Sequence, residues 1–414
     1  MSLIADLFRA KMKATKDPRM SEEAQADVGY PTGFLSFDYL NGTVVHVKKD
    51  NMKFQYNSLG IVDGSMVTVI GRSGCGKTTW CMQTAGNIVR PFKSSCIFFD
   101  SVEGGITASR AQSLTRLYGE DFEQRCIVRN TGVTAENFYE RIKSIHDIKL
   151  EAREDVMYDT GTVNSKGEKI YKMEPSVYIL DSIAMLMPDK YTEEEELSGQ
   201  MSTTAAAKTN TSVFKRIIPM LKTANIILFC INHITEQVNA NPYAAPQGQL
   251  AYLKPNERLG GGRAIIYLTN LLIRLDDHSK FKPDEGYGIE GCLVDFTLCK
   301  SRTAAAGSKT TLVFNYAEGF DPELSLHYFM KSRKKINGAG VGSYFGDRND
   351  LKFSQKTFKS KLIENEEFRN NFFKCCLEEL QTIIYDPDID EEKHEAFNIM
   401  NYLNKNTDSI EVIA

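Results

Sequence analysis

The sequence predicts an α/β fold with a mostly parallel central sheet. Three observations support this prediction: strand-length apolar runs alternate with helix-compatible segments, a glycine-rich loop follows the first run, and the last runs are closely spaced. The first four runs are almost continuously apolar, which is typical of strands covered on both faces. The later, closer runs indicate an antiparallel extension of the sheet. The candidate strands are residues 66–70, 96–99, 177–180, 226–231, 271–275, 293–299 and 311–316.

Four further segments fill the spaces between these strands. Residues 78–90 and 211–224 are compatible with helices, and we expect them to cover the sheet. Residues 187–208 and 233–262 are predicted to be two long loops. Loops of this length in a compact domain are usually functional or disordered.

Composition divides the chain into three predicted parts. Residues 1–30 form a short helix and linker, residues 31–335 form the core, and residues 336–414 form a small helical domain with an acidic tail from Asp386. The first helix could pack on its own core or on a neighbouring subunit, because so short a helix needs a partner surface. Its apolar stripe is Leu3, Ile4, Leu7, Phe8 and Met12. The C-terminal stripe is Phe368, Phe372, Cys376, Leu380 and Ile384, and residues 336–350 resemble a linker.

Charge and cysteine content restrict the class of protein. The chain has 414 residues, 42% hydrophobic residues and a net charge of -4, so a nucleic-acid site would have to be a local patch. Nine cysteines are scattered without a C-x-x-C pair, which indicates neither a disulfide scaffold nor a zinc module. We find neither the long apolar run of a signal peptide nor a membrane span. We therefore expect a soluble cytoplasmic protein with no membrane contact.

The strongest motif is a phosphate-binding loop of the form G-x-x-x-x-G-K-[ST]. Glycines let backbone N–H groups turn towards phosphate oxygens, and the following helix N-terminus favours negative charge. Lys77 is expected to contact the β- and γ-phosphates of ATP, and the Thr78 hydroxyl to bind Mg²⁺. The predicted nucleotide-binding residues are Gly71, Arg72, Ser73, Gly74, Cys75, Gly76, Lys77, Thr78 and Thr79.

Carboxylates after two other strands could complete this site. Asp181 ends the run at 177–180, the position of a second Mg²⁺-binding group. Hydrolysis also needs a group that orients or deprotonates water. Asp100 and Glu103 both follow the run at 96–99, and Glu103 is the better candidate because Gly104 beside it permits movement.

The order of these motifs resembles the RecA recombinase family, most closely the phage UvsX-like recombinases, over residues 30–330. The resemblance rests on the segments PTGFLSFDYLNG, FFDSVEGGIT, ILDSIAML, INHITE, LGGG and CKSRT. It implies a RecA-type ATPase core that uses ATP and Mg²⁺. This chain departs from the family by one extra residue near Val102. It also has Arg110 where the family often has a tyrosine stacked on adenine, and a guanidinium plane can stack as well.

The resemblance also implies roles for individual residues. Glu103 would activate water, and His233 would be a polar sensor between the γ-phosphate and a DNA loop. Lys300 and Arg302 would reach the ATP of an adjacent subunit in a head-to-tail filament. The implied partners are single- and double-stranded DNA, further copies of the chain, and mediator and single-strand-binding proteins.

The two predicted loops are the candidate DNA-binding elements. The loop at 187–208 has four consecutive glutamates, opposed by Lys190 and Lys208. The loop at 233–262 and the residue after it mix aromatic and basic side chains, as single-strand-binding surfaces do. These are Tyr243, Tyr252, Lys254, Arg258 and Arg263.

Three functions fit the sequence. The first is an ATP-dependent recombinase that pairs homologous DNA and exchanges strands. The second is a hexameric replicative helicase with the same core, although only about thirty residues precede the core here. The third is a recombination mediator that binds nucleotide without turnover, which the intact Lys77, Thr78 and Asp181 disfavour.

Overall fold

The computed structural model describes residues 27–49, 52–164, 167–189, 199–236, 252–254, 256–260, 264–282 and 287–387. The predicted N-terminal helix, Lys190, Tyr243, Arg263 and the tail beyond residue 387 lie outside these ranges. None of the helices in the described part of the chain is both long and apolar enough to cross a bilayer.

Strands and helices alternate through the first two thirds of the chain. The strands are β1 (Gly29–Tyr30), β2 (Thr43–Lys49), β3 (Met52–Ser58), β4 (Ile61–Val62), β5 (Met66–Gly71), β6 (Ile97–Ser101), β7 (Cys126–Arg129), β8 (Met157–Val163), β9 (Lys169–Met173), β10 (Ser176–Asp181), β11 (Ile226–Glu236), β12 (Glu257–Leu259), β13 (Leu271–Phe281), β14 (Gly291–Lys300), β15 (Lys309–Asn315), β16 (Gly319–Asp321), β17 (Ile336–Asn337) and β18 (Tyr344–Phe345). The helices are α1 (Leu35–Leu40), α2 (Lys77–Val89), α3 (Ala108–Thr115), α4 (Gly119–Arg125), α5 (Ala135–Glu151), α6 (Arg153–Val156), α7 (Gly199–Thr223), α8 (Ala264–Leu268), α9 (Pro322–Ser332), α10 (Phe358–Glu364) and α11 (Glu366–Leu380), with 3₁₀ turns at Ile183–Met185 and Gly340–Gly342.

One mixed sheet forms the centre of the molecule, in the order β16-β15-β14-β13-β5-β11-β10-β6-β7, with β12 paired to β11. The strands from β13 to β7 run parallel. The strands β14, β15 and β16 add to the β13 edge in antiparallel fashion. The α/β class, all seven predicted strands and the antiparallel extension are therefore confirmed.

Helix α2 is anchored beneath the sheet by aromatic packing. Trp80 is fully buried, and its ring contacts Phe37, Phe229 and Phe296 with centroid distances of 5.1, 5.8 and 5.4 Å. The helix begins directly after the glycine-rich loop, so this packing fixes the position of the loop. Parallel strands place their carboxyl ends on one edge, which is where α/β folds bind ligands.

The prediction of one long loop at 187–208 is wrong for its second half. Helix α7 begins at Gly199 and continues without a break to Thr223. The alanine-rich stretch before residue 211 has high helix propensity, and it joins the amphipathic segment that was predicted to be helical. In the earlier half of the predicted loop, residues 187–189 follow the 3₁₀ turn at Ile183–Met185, and residues 190–198 lie outside the described ranges.

The predicted linker at 336–350 is also ordered, which corrects the sequence reading. Its strands β17 and β18 pair with each other, and Phe345 is fully buried. Phe345 stacks on Phe353 at 4.7 Å and belongs to a cluster that includes Phe372 of α11 and Val313 of β15. The predicted C-terminal helical stripe is confirmed from Phe368 to Leu380, which are buried on α11, whereas Ile384 lies beyond the end of this helix. Since the cluster also contains side chains of the sheet, the domain boundary near residue 335 stays a prediction.

A neutral histidine lies within this aromatic cluster. His327 is 2% exposed, and its Nδ1 shares a hydrogen bond of 3.1 Å with the Tyr287 hydroxyl. Its ring packs against Phe358, with ring centroids 4.6 Å apart. Burial lowers the pKa of His327 from 6.5 to about 4. Because the unfolded chain binds a proton at higher pH than the folded chain, this residue makes the fold less stable as pH falls from 6.5 towards 4.

Replacing His327 with phenylalanine should remove this part of the pH dependence. Between pH 7.5 and pH 5, the wild-type protein should lose on the order of 2 kcal/mol more unfolding free energy than the variant. Urea unfolding at both pH values measures the difference. If the unfolding free energies of the two proteins changed equally with pH, His327 would not be the source of this pH dependence.

Candidate nucleotide-binding site

The glycine-rich loop joins β5 to α2 at the carboxyl edge of the sheet. Gly74 and Gly76 have φ angles of 82° and 86°, in the left-handed region that favours glycine. A Cβ atom at Gly76 would also lie 2.9 Å from the ring of Phe320. Cys75 is buried and donates a hydrogen bond from Sγ to the Arg72 carbonyl at 3.0 Å. The loop is therefore held in shape before any ligand arrives.

Lys77 begins α2 and points back into the loop. Its Nζ atom donates to the carbonyl oxygens of Gly71 at 3.0 Å and Arg72 at 2.7 Å, and lies 3.3 Å from Nδ1 of His233. Burial lowers the pKa of Lys77, and the surrounding carboxylates oppose that shift. The ammonium group thus sits at the centre of the loop, where a phosphate oxygen could replace one of its carbonyl partners.

Thr78 and Asp181 lie side by side although they are 103 residues apart. The Thr78 hydroxyl donates to Oδ2 of Asp181 at 2.6 Å. Burial raises the pKa of Asp181, and the negative charge of Glu103 adds to the increase. A hydroxyl and a carboxylate are hard oxygen donors, and a cation here would relieve the repulsion between the two carboxylates. This donor set fits Mg²⁺.

Glu103 and His233 complete the same cluster. Nε2 of His233 lies 3.1 Å from Oε2 of Glu103, and the Ser182 hydroxyl donates to the other oxygen of Glu103. Since the Lys77 ammonium can only donate, His233 accepts at Nδ1 and carries its proton on Nε2, facing Glu103. Ligand atoms of Glu103, Asp181 and His233 lie within 4.8 Å of one another. The structure therefore brings together the five residues that the sequence singled out separately.

Asp100 is excluded from this cluster by its own contacts. It is fully buried and pairs with Arg129 at 2.6 Å, while Arg141 and the Tyr178 hydroxyl also donate to it. Its carboxylate is turned towards β7 and α5 and away from the loop. Asp100 lies within β6 and Glu103 lies just after it, and Glu103 is the acid beside Lys77, Asp181 and His233.

The opposite edge of the phosphate loop is bounded by the turn between β15 and β16. Arg110 of α3 donates a hydrogen bond to the Ala317 carbonyl, and Tyr316 beside it is 41% exposed. Phe320, which follows this turn, is the residue that contacts Gly76. Tyr316 was not singled out from the sequence, although it is the aromatic residue at the end of a predicted strand.

Lys300 and Arg302 lie at the other end of the sheet. Lys300 of β14 pairs with Leu272 of β13, and Leu272 pairs with Thr68 near the start of β5. The phosphate loop begins at Gly71, the last residue of β5. Arg302 lines a cavity of about 430 Å³ together with Asp63 and Lys222 at this amino edge. Lys300 donates to the carbonyl oxygens of residues 266 and 267. The two basic residues therefore do not reach the phosphate loop of their own chain.

The longer predicted DNA loop leaves and rejoins the sheet next to the site. β11 continues from His233 to Glu236, and β12 returns alongside it, with Glu236 opposite Glu257. Lys254 and Arg258 are exposed on the returning side. Tyr252 is half-buried against an apolar cluster containing Ile70 and Leu272, which gives it a packing role in this structure. Lys208 is exposed on α7.

Comparison with known proteins gives distant similarities. No protein-family model matches the chain. The chain is 21% identical over 204 residues to the DNA repair protein RAD51 homolog 4 of Bos taurus, covering 48% of this chain and 56% of that protein. It is 23% identical over 265 residues to the Recombination and repair protein of Enterobacteria phage T4, covering 64% of this chain and 56% of that protein. The core has the RecA-type α/β fold. The chain spans slightly more than half the length of these relatives.

Four residues in or beside the site were not predicted from the sequence. Ser182, Tyr316, Glu257 and Arg274 contact or border the site, and none was singled out beforehand. Ser182 directly follows Asp181, so the same strand end could have indicated it. Glu257 and Arg274 give no local signal, because their pairing depends on the return of a chain segment to the sheet.

Proposed function

We propose that this protein is an ATP-dependent DNA recombinase. It would form a helical filament on single-stranded DNA, hydrolyse ATP in a DNA-dependent manner, and promote homologous pairing and strand exchange during recombination, repair and replication. The observation that carries the proposal is the division of the ATPase residues between two ends of one sheet. Lys77, Thr78, Asp181 and Glu103 lie at the carboxyl edge, and Lys300 and Arg302 at the amino edge.

In this proposal the chain's own residues hold and activate the reactants. The loop amides and Lys77 bind the β- and γ-phosphates, and the adenine lies between Arg110 and Tyr316. Thr78 and Asp181 would hold Mg²⁺, which would neutralise charge on the phosphates. Glu103 accepts a proton from water as the water oxygen bonds to the γ-phosphorus and ADP departs. Ser182 and His233 keep the Glu103 carboxylate in place.

Head-to-tail stacking would bring the two edges together. Each seam would then combine one subunit's phosphate loop with the next subunit's Lys300 and Arg302, and such heterologous contacts build open helices. Residues 1–30 would dock on the neighbouring subunit, and residues 336–414 would form the peripheral helical part. DNA would lie along the segment containing Tyr243, Tyr252, Lys254, Arg258 and Arg263. Because His233 contacts both Lys77 and Glu103 and leads into that segment, nucleotide state and DNA binding would be linked.

Phosphate release with and without single-stranded DNA tests the proposal. We expect DNA to stimulate turnover at least tenfold, and removal of Mg²⁺ with a chelator to abolish it. Electron micrographs should show filaments, and homologous duplex should exchange strands with the bound single strand. Rings that unwind duplex would instead identify a helicase, and binding without turnover would identify a mediator.

A further inference from the structure

A buried side-chain amide bonds to the backbone of strand β16, the end strand of the central sheet in the described part of the chain. Gln83 of α2 donates from Nε2 to the Phe320 carbonyl oxygen at 3.0 Å, and its Oε1 accepts from the Phe320 backbone N–H at 2.9 Å. A side-chain amide offers a donor and an acceptor, as a peptide unit does, so it can complete the hydrogen bonding of an edge strand. Gln83 is 8% exposed, so water competes little for these two bonds.

A glycine allows β16 to approach this amide. Gly319 has a φ angle of 100°, in the left-handed region that favours glycine. A Cβ atom at Gly319 would lie 2.8 Å from Oε1 and 3.0 Å from Cδ of Gln83. The backbone of the turn and the amide of Gln83 are therefore as close as a residue without a side chain permits.

The same contact holds the turn at residues 316–319, which carries the exposed ring of Tyr316. Phe320, at the end of this turn, stacks on Phe314 with ring centroids 4.7 Å apart. Phe314 in turn contacts the Tyr316 ring edge-on, at 5.6 Å between centroids. β15 fixes the first end of the turn, and Gln83 fixes its second end through the backbone of Phe320.

Helix α2 connects this turn to the phosphate loop. Lys77 is the first residue of α2, and Gln83 lies nearly two turns further along the same helix. The helix therefore carries the phosphate-binding ammonium group at its start and the anchor of the turn in its middle. The separation between the phosphate loop and the turn is set by one rigid element.

We propose that Gln83 is a positioning residue for the base of the nucleotide, because it holds the 316–319 turn where Tyr316 and Arg110 can enclose that base. This inference rests on the proposed function, in which the base lies between those two side chains. Gln83 acts through the turn and not by touching the nucleotide. Loss of its amide frees the turn, so contacts to the base are weakened while contacts to the triphosphate are retained.

The test compares the binding of ATP with that of inorganic tripolyphosphate, both with Mg²⁺ and without DNA, to the full chain. Tripolyphosphate carries the phosphates but no ribose or base, so the ratio of its Kd to the Kd of ATP measures what the nucleoside contributes. Gln83→Met keeps the length of the side chain and the helix propensity but removes both hydrogen bonds. We expect this ratio to fall about five- to tenfold in Gln83→Met, as partial loss of base stacking predicts. The Kd of tripolyphosphate should stay within about twofold of wild type.

Thr84→Val is the matched control, on the next residue of the same helix. Thr84 is fully buried, and its hydroxyl has no hydrogen-bond partner among the described residues, so the nearly isosteric change removes no contact. Both affinities should match wild type in this variant. Hydrogen exchange at the Phe320 amide should be faster in Gln83→Met than in Thr84→Val. If Gln83→Met folds poorly, Gly319→Ala disturbs the same contact from the side of the turn and should lower the ratio in the same direction.

Equal loss of affinity for ATP and tripolyphosphate would reduce Gln83 to a support of α2 and overturn the inference. An unchanged ratio in a folded Gln83→Met would overturn it as well, because the turn would then not depend on the amide. These measurements need neither hydrolysis nor DNA. Absence of DNA-stimulated turnover would therefore refute the proposed function while a lowered ratio still supported the role of Gln83.

Discussion

Replacing Glu103 with glutamine is expected to lower ATP turnover by about 10²- to 10⁴-fold. The amide keeps the shape of the side chain and can still contact Ser182 and His233, but it cannot accept a proton from water. Nucleotide affinity should stay within a few-fold of wild type, because Lys77 and the loop amides are unchanged. Single-turnover phosphate release, together with equilibrium binding of a fluorescent ATP analogue, measures both quantities.

Asp100→Asn provides the matched control for this prediction. Asp100 is three residues away and also carries a carboxylate, but that carboxylate is paired with Arg129 and Arg141. Its loss should destabilise the fold by about 3 kcal/mol, since two guanidinium groups lose a buried partner. Turnover per folded molecule should be nearly unchanged. Full activity in Glu103→Gln, or abolished chemistry in a folded Asp100→Asn, would reverse the assignment.

The contrast between these two acids shows what sequence could and could not predict. Both follow the predicted apolar run at 96–99, so periodicity and motif spacing place them equally well. The choice depends on Arg129 and Arg141, whose positions are set by β7 and α5. Only the long-range contacts of the folded chain distinguish Asp100 from Glu103. Glu103 could be preferred beforehand only from its neighbouring glycine and from the family resemblance.

Burial made the main strands predictable from the sequence. The elements that the sequence did not predict are less buried or lie outside the main sheet. Each predicted strand in the sheet is mostly buried, so burial imposed a continuous apolar signal. Strand β7 has four residues at the sheet edge, and Ile127 is 41% exposed, so no strong signal exists. The β2–β3 and β8–β9 hairpins lie outside the main sheet and mix polar and apolar residues.

Lys300 and Arg302 could be named from their motif, but their orientation could not. Their direction follows from the antiparallel pairing of β14 with β13, which carries the end of β14 to the amino edge. The same two residues at the end of a parallel strand would face their own phosphate loop. Topology thus places this basic strand end at the edge of the sheet away from the chain's own phosphate loop.

Replacing Arg302 with alanine, alone and together with Lys300→Ala, should lower DNA-stimulated turnover by about 10³-fold or more. A cation supplied at the seam stabilises charge that develops only in the transition state, so ATP binding to the monomer should be retained. Arg302 is the cleaner change, because Lys300 also caps the carbonyl oxygens at the end of α8. Steady-state turnover on single-stranded DNA and nucleotide binding at low protein concentration separate the two effects.

Mixing two inactive variants tests whether the cation acts between subunits. Lys77→Ala destroys a subunit's own phosphate site but leaves its Arg302 intact, whereas Arg302→Ala does the reverse. In a random filament of equal parts, about a quarter of the seams pair an intact phosphate loop with an intact Arg302. We therefore expect the mixture to recover roughly a quarter of wild-type turnover, although each variant alone is inactive. If Arg302 acted within its own chain, neither subunit could become complete, and the mixture would be as inactive as its components.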